Sequence, residues 1–240
     1  MRSETYTKFV SRMQALMGVD AANTTELAEW LQYFQRNIRF AWDFFEWHEV
    51  CETEERVPDL NGYIALDEQG QENIGEVLAC FDGDPDGSDA VGDVPYRIVK
   101  DGLRVPPGEY ETVWVYFRRQ MPEYNAADYG SGTAYEARGE TYYPTTGKFY
   151  EALVATTGNA PTDESYWKEL PIPRCLFEYV AQASYADALL PQGFAEKSRA
   201  MKADARALLE IEVDKVARQQ RQRRLGGRIQ THGTTQLRNE

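Results

Sequence analysis

At 240 residues and 42% hydrophobic content, with five Trp, ten Phe and fifteen Tyr, the chain can fill one large core or two smaller ones, which excludes a disordered polypeptide. Its cysteines, Cys51, Cys80 and Cys175, are odd in number and widely spaced. That fits neither a zinc CxxC pair nor a secreted disulfide framework, and a reducing intracellular origin is expected. No signal peptide and no run of roughly 18 to 20 apolar residues is visible, so a soluble protein with no membrane partner is expected.

The net charge of −13 is unevenly spread. Between Glu49 and Tyr96 fourteen acidic residues stand against Arg56 alone, which equals the whole imbalance, while Lys215 to Glu240 holds seven Lys or Arg against Glu240. A basic end and an acidic flank can pair between copies, or the basic end can meet nucleic acid.

Glu4 to Met17 reads as an amphipathic helix stopped by Gly18. Asn23, Thr24 or Thr25 then caps a long aromatic helix, Thr24 to Trp47. On it Leu27, Leu31, Phe34, Ile38, Ala41 and Phe45 form one stripe, and Tyr33, Phe40, Phe44 and Trp47 form a second arc beside it. A helix apolar over most of its girth must be covered from two directions. The expectation is that this helix is the centre of its bundle, with the second arc covered either by a neighbouring copy, as a subunit interface, or by the β insertion of the same chain.

Turn signals at Val57-Pro58-Asp59 and Asn61-Gly62 open a run of short strands: Tyr63 to Leu66, Ile74 to Phe81, Tyr96 to Val99, Leu103 to Val105 and Thr112 to Arg118. A connector at Tyr124 to Gly132 leads to a compact aromatic unit, with strands at Thr141 to Tyr143 and Lys148 to Val154. From Pro173 the period is helical again, with a break at Pro191-Gln192-Gly193 and a last helix from Phe194 to about Arg224, ended by Gly226-Gly227.

The order predicts an α+β fold: a discontinuous helical bundle from residues 1–50 and 172–225, an inserted antiparallel β region at 51–123, a small β unit at 133–171, and an extended tail at 226–240.

Chemistry is sparse. Asp82, Asp84, Asp86 and Asp93 fall at EF-hand loop spacing with Gly87, but Asp89 stands where a hydrophobic residue usually sits, Asp93 replaces the usual Glu, and the flanks read as strands. The loop is therefore a weak calcium candidate beside a plain solvated turn. His48 and His232 are the only histidines, and no nucleophile elbow, zinc helix or phosphate loop is visible. No enzyme activity and no cofactor are expected. The aromatics Tyr142, Tyr150 and Trp167 are either the core of the small unit or an exposed row for stacking sugars. The basic stretch Arg218 to Arg228 is either a phosphate contact or a solvated helix end.

Gly147-Lys148-x-Tyr150-x-Ala152, Thr157-Gly158-Asn159-x-Pro161 and Tyr166-Trp167 resemble a small β module similar to chitin-binding-type carbohydrate modules, common in tailed-bacteriophage structural proteins. The layout as a whole, with N-terminal helices, the Ile74 to Pro85 strand and loop, the VWVYFR strand followed by Pro122, closing helices and a polar tail, resembles a phage head-to-tail connector, also called an adaptor or neck protein. This resemblance implies a virion structural protein in the neck, between capsid and tail and assembled in the host cytoplasm. It implies a dodecameric self-assembled ring on the portal, a tail-side neck or tail partner, and DNA passing through the lumen. It also implies a portal-binding tail, here Arg223, Arg224, Arg228, Ile229, Leu237 and Arg238. Two alternatives stay open: a polysaccharide-binding virion decoration or tail protein acting through residues 133–171, and a tail-completion protein.

Overall fold

The computed structural model describes residues 3–66, 74–85, 87, 91–124 and 127–236; the side chains of Thr24 and of residues 219–236 lie outside the description. It is a mixed α+β chain that divides into two compact units, a β unit of Met1–Lys8 with His48–Pro173 and a helical unit of Phe9–Trp47 with Arg174–Glu240. In chain order the elements are β1 (Ser3–Glu4), α1 (Tyr6–Met17), α2 (Thr24–Phe44), β2 (Cys51–Arg56), β3 (Tyr63–Ala65), β4 (Ile74–Phe81), β5 (Arg97–Val99) and β6 (Gly102–Arg104). There follow β7 (Val113–Arg119), β8 (Ala134–Tyr135), β9 (Glu140–Tyr143), β10 (Lys148–Ala152), β11 (Thr156–Thr157), β12 (Trp167–Leu170), β13 (Ile172–Pro173), α3 (Arg174–Leu189) and α4 (Ala195–Gln236).

In the β unit, β7 is the centre of an antiparallel β2-β7-β4 sheet. Its alternation places Val113, Val115 and Phe117 in a core with Ile64, Val77, Cys80, Leu103 and Val105, as a period of two requires of a strand with one buried face. Burial pushes the Cys80 thiol up to about 12, so it sits there as a small apolar group. The β3-β6-β5 sheet lies in the same unit. Its entry turn is built by Asp59, whose Oδ1 accepts the N–H groups of Asn61 and Tyr63, both at 2.8 Å. Gly62 is required there: it sits at φ +72°, and a Cβ would come within 2.1 Å of the Val105 carbonyl oxygen. Strand β2, CETEER, is not predicted by the sequence reading, because it has no apolar alternation; its pairing with β7 from Cys51↔Arg118 to Arg56↔Val113 defines it.

In the helical unit α2 begins with a capping box, Asn23 Oδ1 accepting the Glu26 N–H at 2.9 Å and Glu26 Oε2 accepting the Asn23 N–H at 2.8 Å. Gly18, at φ +72°, ends α1 in the left-handed conformation. The buried stripe of α2 is Trp30, Phe34, Ile38, Ala41 and Trp42, with Phe9 and Met13 of α1 also buried; the rings of Phe9 and Phe34 lie 4.9 Å apart. Leu27, Leu31 and Phe45 are only half-buried.

Three expectations need correction. The central helix is α3 rather than α2. Twelve of its sixteen residues are buried, and it packs against both α2 and α4. Ala181, Ala183, Ser184, Ala186 and Ala188 make it slim enough to be enclosed, which a search for large apolar stripes overlooks. Pro173 is the last residue of β13, paired with Ser3, rather than a first helical position. The last helix does not stop at Gly226-Gly227: the α4 backbone stays helical to Gln236. Each glycine costs about 1 kcal/mol against alanine in a helix interior but does not forbid helical angles. The extended tail is thus helical through residue 236, and 237–240 lie outside the described residues.

The three helices converge on Asp187, whose side chain is 2% exposed. It accepts from Asn37 Nδ2 at 2.9 Å, pairs with Arg36, and lies 2.7 Å from Lys202 Nζ. Asn37 also donates to Ser184 Oγ at 3.3 Å and to the Tyr33 carbonyl at 2.8 Å. Burial alone would raise this carboxyl. Lys202, Asn37 and Arg36 together outweigh it and hold the pKa below its ordinary value. The unfolded reference is about 3.9, so the stabilisation is fully present above that pH and is lost as pH falls through the lower folded value. Asp187→Ala removes the partner shared by Asn37, Arg36 and Lys202 and is expected to cost about 2 kcal/mol in urea unfolding at neutral pH. Asp187→Asn should flatten the loss of stability below about pH 4; an unchanged acid limb in the asparagine variant would show that this carboxylate is not coupled to folding.

Candidate functional site

The second arc of α2 divides. Trp47 is fully buried, its indole N–H donates to the Ala41 carbonyl at 2.8 Å, and its ring packs edge-on to Phe45 at 5.4 Å. It belongs to the unit's own interior, and its expected place in a subunit interface is corrected. The reason is local: α2 ends at Phe44 and the chain turns at Phe45 into extended backbone, which folds Trp47 back instead of continuing the helical arc. Phe40 and Phe44 remain outside, 41% and 39% exposed. Their rings meet at a tilt of 40° with centroids 5.6 Å apart, Phe40 lies 6.0 Å from Tyr179, and the Arg206 guanidinium covers Phe40 at 5.7 Å. Tyr33, half-buried, carries the Arg36 guanidinium over its ring at 5.5 Å. Phe40 is thus held in place by α3 and α4, with Phe44 against it, while much of the ring surface of both faces outward, which is the character of an interface anchor.

In the small aromatic unit, β12-β10-β9 forms a sheet against which β8 and β11 make a second ribbon. Tyr150 and Trp167 are 7% and 2% exposed, so they are core, with half-buried Tyr129, Tyr135, Tyr143 and Tyr166 around them. The Trp167 indole N–H and the Tyr129 hydroxyl both donate to the Asn159 carbonyl at 3.0 Å, and the Tyr135 ring meets Trp167 edge-on at 5.1 Å. Tyr142 is tied to the N-terminal segment through Thr7 at 3.0 Å and lies 5.6 Å from Tyr6. The structure therefore does not bring Tyr142, Tyr150 and Trp167 together as an exposed stacking row. An open groove of about 480 Å³ nevertheless runs beside them, lined in part by Leu153, Pro161, Trp167, Lys168 and Glu169. Leu153 and Val154 at its edge are 47% and 48% exposed.

A second cleft of about 470 Å³ is lined by Glu123, Arg138, Glu140 and Glu151 among others. The β9–β10 register sets Glu140 opposite Glu151, a carboxylate pair that linear spacing does not single out. Glu140 is already engaged, accepting the Glu123 backbone N–H at 2.8 Å.

Of the weak calcium candidate, Asp82, Asp84 and Asp93 are exposed, and Asp86 lies outside the described residues. Asp82 Oδ1 accepts the Gly92 N–H at 2.6 Å, and Phe81 bridges Asp93, so the loop base is closed as a hairpin. Among the described residues no group of three His, Cys, Asp or Glu is placed to hold a metal ion, and no helix is long and apolar enough to cross a membrane. Arg223, Arg224, Arg228 and Ile229 lie on the α4 backbone, with side chains outside the description, and Leu237 and Arg238 lie outside the described residues.

No family model matches the chain, and no curated protein matches it.

The small unit gives a direct test of core against surface. Trp167→Ala is expected to cost about 3 to 5 kcal/mol, as large aromatic deletions in cores do, with loss of near-ultraviolet circular dichroism. Leu153→Asp on the groove edge should stay within about 0.5 kcal/mol of wild type. Equal, small effects from both would contradict the assignment of Trp167 to the core.

Proposed function

We propose that this chain is a virion structural protein without chemistry of its own, a head-to-tail connector that forms a homo-oligomeric ring in the neck of a tailed phage. In this reading it docks on the portal, joins capsid to tail through a tail-side neck protein, and leaves a lumen through which DNA passes. The observation that carries the reading is the Phe40 and Phe44 pair, outward-facing on the helical unit, with Phe40 braced by Tyr179 and Arg206. A repeated contact between such a face and a different surface of the next copy closes a ring when the rotation permits. The portal is proposed on the resemblance and on the long basic α4, which runs to Gln236.

One observation favours a second reading. The groove beside Trp167 is open and lined by Leu153 and Pro161 with polar Thr162, Glu164, Lys168 and Glu169, a mixed surface that suits a polysaccharide recognised by a decoration or tail protein. Retention on a glycan array, abolished by Leu153→Asp with the fold intact, would favour it.

The ring reading is tested by the mass of the purified chain alone and with its portal. Phe40→Asp should leave circular dichroism unchanged and weaken assembly by about 2 kcal/mol, close to thirtyfold. Trp42→Asp, at a 2% exposed position, should unfold the helical unit. A chain that stays monomeric and ignores the portal would overturn the proposal, as would a Phe40→Asp variant that assembles like wild type.

A further inference from the structure

The two faces of the β3-β6-β5 sheet differ in character. Directly opposite residues on paired strands share a face, so the register fixes which residues belong to each. One face carries the row Ile64, Leu103 and Ile98, whose first two members lie in the core of the β unit. The other carries Tyr63, Arg104 and Arg97, in that order across the sheet. Both arginines are exposed.

Two guanidinium groups at directly opposite positions repel, and like-charge pairs of this kind destabilise a sheet. Protection of an open sheet edge accounts for a charge at Arg97, on the edge strand β5. It does not account for Arg104, which lies beside it on the central strand β6. Among the described residues no ion pair relieves Arg97, Lys100 or Arg104. Asp59, whose carboxyl feels the charge of Arg104, is already taken by the N–H groups of Asn61 and Tyr63. The segment RIVKDGLR, Arg97 to Arg104, thus sets three basic residues against Asp101 alone.

The third member of the row is an aromatic ring held flat. A Cβ at Gly102 would come within 2.7 Å of Tyr63 Cε2 and 2.9 Å of its Cζ, so the ring lies against bare backbone. Its hydroxyl donates to the Asp101 carbonyl at 3.0 Å. Tyr63 is half-buried in this position, which leaves part of the ring uncovered next to Arg104.

We propose that the Tyr63, Arg104 and Arg97 row binds single-stranded nucleic acid, with backbone phosphate on the two guanidinium forks and a base stacked on Tyr63. Guanidinium forks match phosphate oxygens bidentately, and stacking on an aromatic ring tolerates any base. An exposed row suits a strand laid across it, because an enclosed small ligand needs a concave pocket. An acidic peptide would engage the arginines and leave the ring unused. The net charge of −13 opposes long-range attraction of a polyanion, so affinity comes from these local contacts. The site lies within the β unit and does not rest on the ring reading.

The experiment is fluorescence anisotropy of a labelled oligodeoxythymidine strand of about 8 nucleotides, titrated with the full chain over a range of salt. Wild type should bind it. Arg97→Gln/Arg104→Gln should lose at least about tenfold in affinity and flatten the slope of log affinity against log salt by about 1.4. Tyr63→Leu should lose about fivefold or more, and Tyr63→Phe, which keeps the ring, should bind within about threefold of wild type. If Tyr63→Leu fails to fold by circular dichroism, the preference of wild type for the strand over a duplex of the same length reports on the ring instead. Absence of binding by wild type overturns the proposal, as does unchanged binding by the double arginine variant. Full binding by a folded Tyr63→Leu variant, or duplex bound as tightly as the single strand, reduces the row to a backbone contact and overturns it. Equal competition by polyglutamate identifies an acidic peptide as the occupant and overturns it too.

Discussion

The carboxylate of Asp187 fixes the helical unit. It is buried among three helices and satisfied by groups from two of them, Asn37 and Arg36 of α2 and Lys202 of α4, while its own helix supplies Ser184 to the same amide. A buried charge without partners is expensive, and removing one partner from such a set costs more than the set contributes over an apolar core. The geometry therefore admits one register of α2 and α4 on α3. That register decides what remains outside: with Asn37 turned inward, Phe40 and Phe44 are left exposed, and Tyr179 and Arg206 hold Phe40.

The units divide the labour that the proposed function requires. The helical unit, drawn from both chain ends, carries the outward phenylalanines and the long basic helix. The β unit carries the acidic excess of the sequence, and some of these acids hold its turns, Asp59 accepting from Asn61 and Tyr63 and Asp82 from Gly92. Glu54, Glu76 and Glu52 are each met by an arginine, Arg56, Arg118 and Arg119. These three acids are therefore engaged within the β unit, and the proposed ring takes its affinity from apolar contact at Phe40.

Much of the fold was legible in the sequence, and the failures have physical causes. Strong alternation marked β7, and Ile74 to Phe81 is the strand expected. Asn23 was among the caps considered, and Gly18 ends α1. The class, helices from both ends around antiparallel β structure, follows from the order of periods. What failed was inference from side-chain size. Large aromatics drew attention to α2, whereas α3 is enclosed because its alanines and Ser184 allow close approach. Trp30 and Trp42, absent from the predicted stripe, are among its buried members. Strand β2 is invisible because its partner, not its composition, makes it a strand. Asp187 has a signal that was missed, a lone acid inside the apolar run Ala186 to Leu190. At the candidate surfaces, Phe40 and Phe44 are where the wheel placed them, while Trp47 escaped it because a helical wheel assumes a helix that ends at Phe44.

The central claim is that this chain occupies the neck of a virion as a ring, and imaging the neck of the intact particle addresses it most directly. The account predicts rotationally repeated density between portal and tail into which the helical unit fits, with Phe40 and Phe44 at the contact between adjacent copies. Density for this chain on the capsid exterior or along the tail, or its absence from the particle, would contradict it.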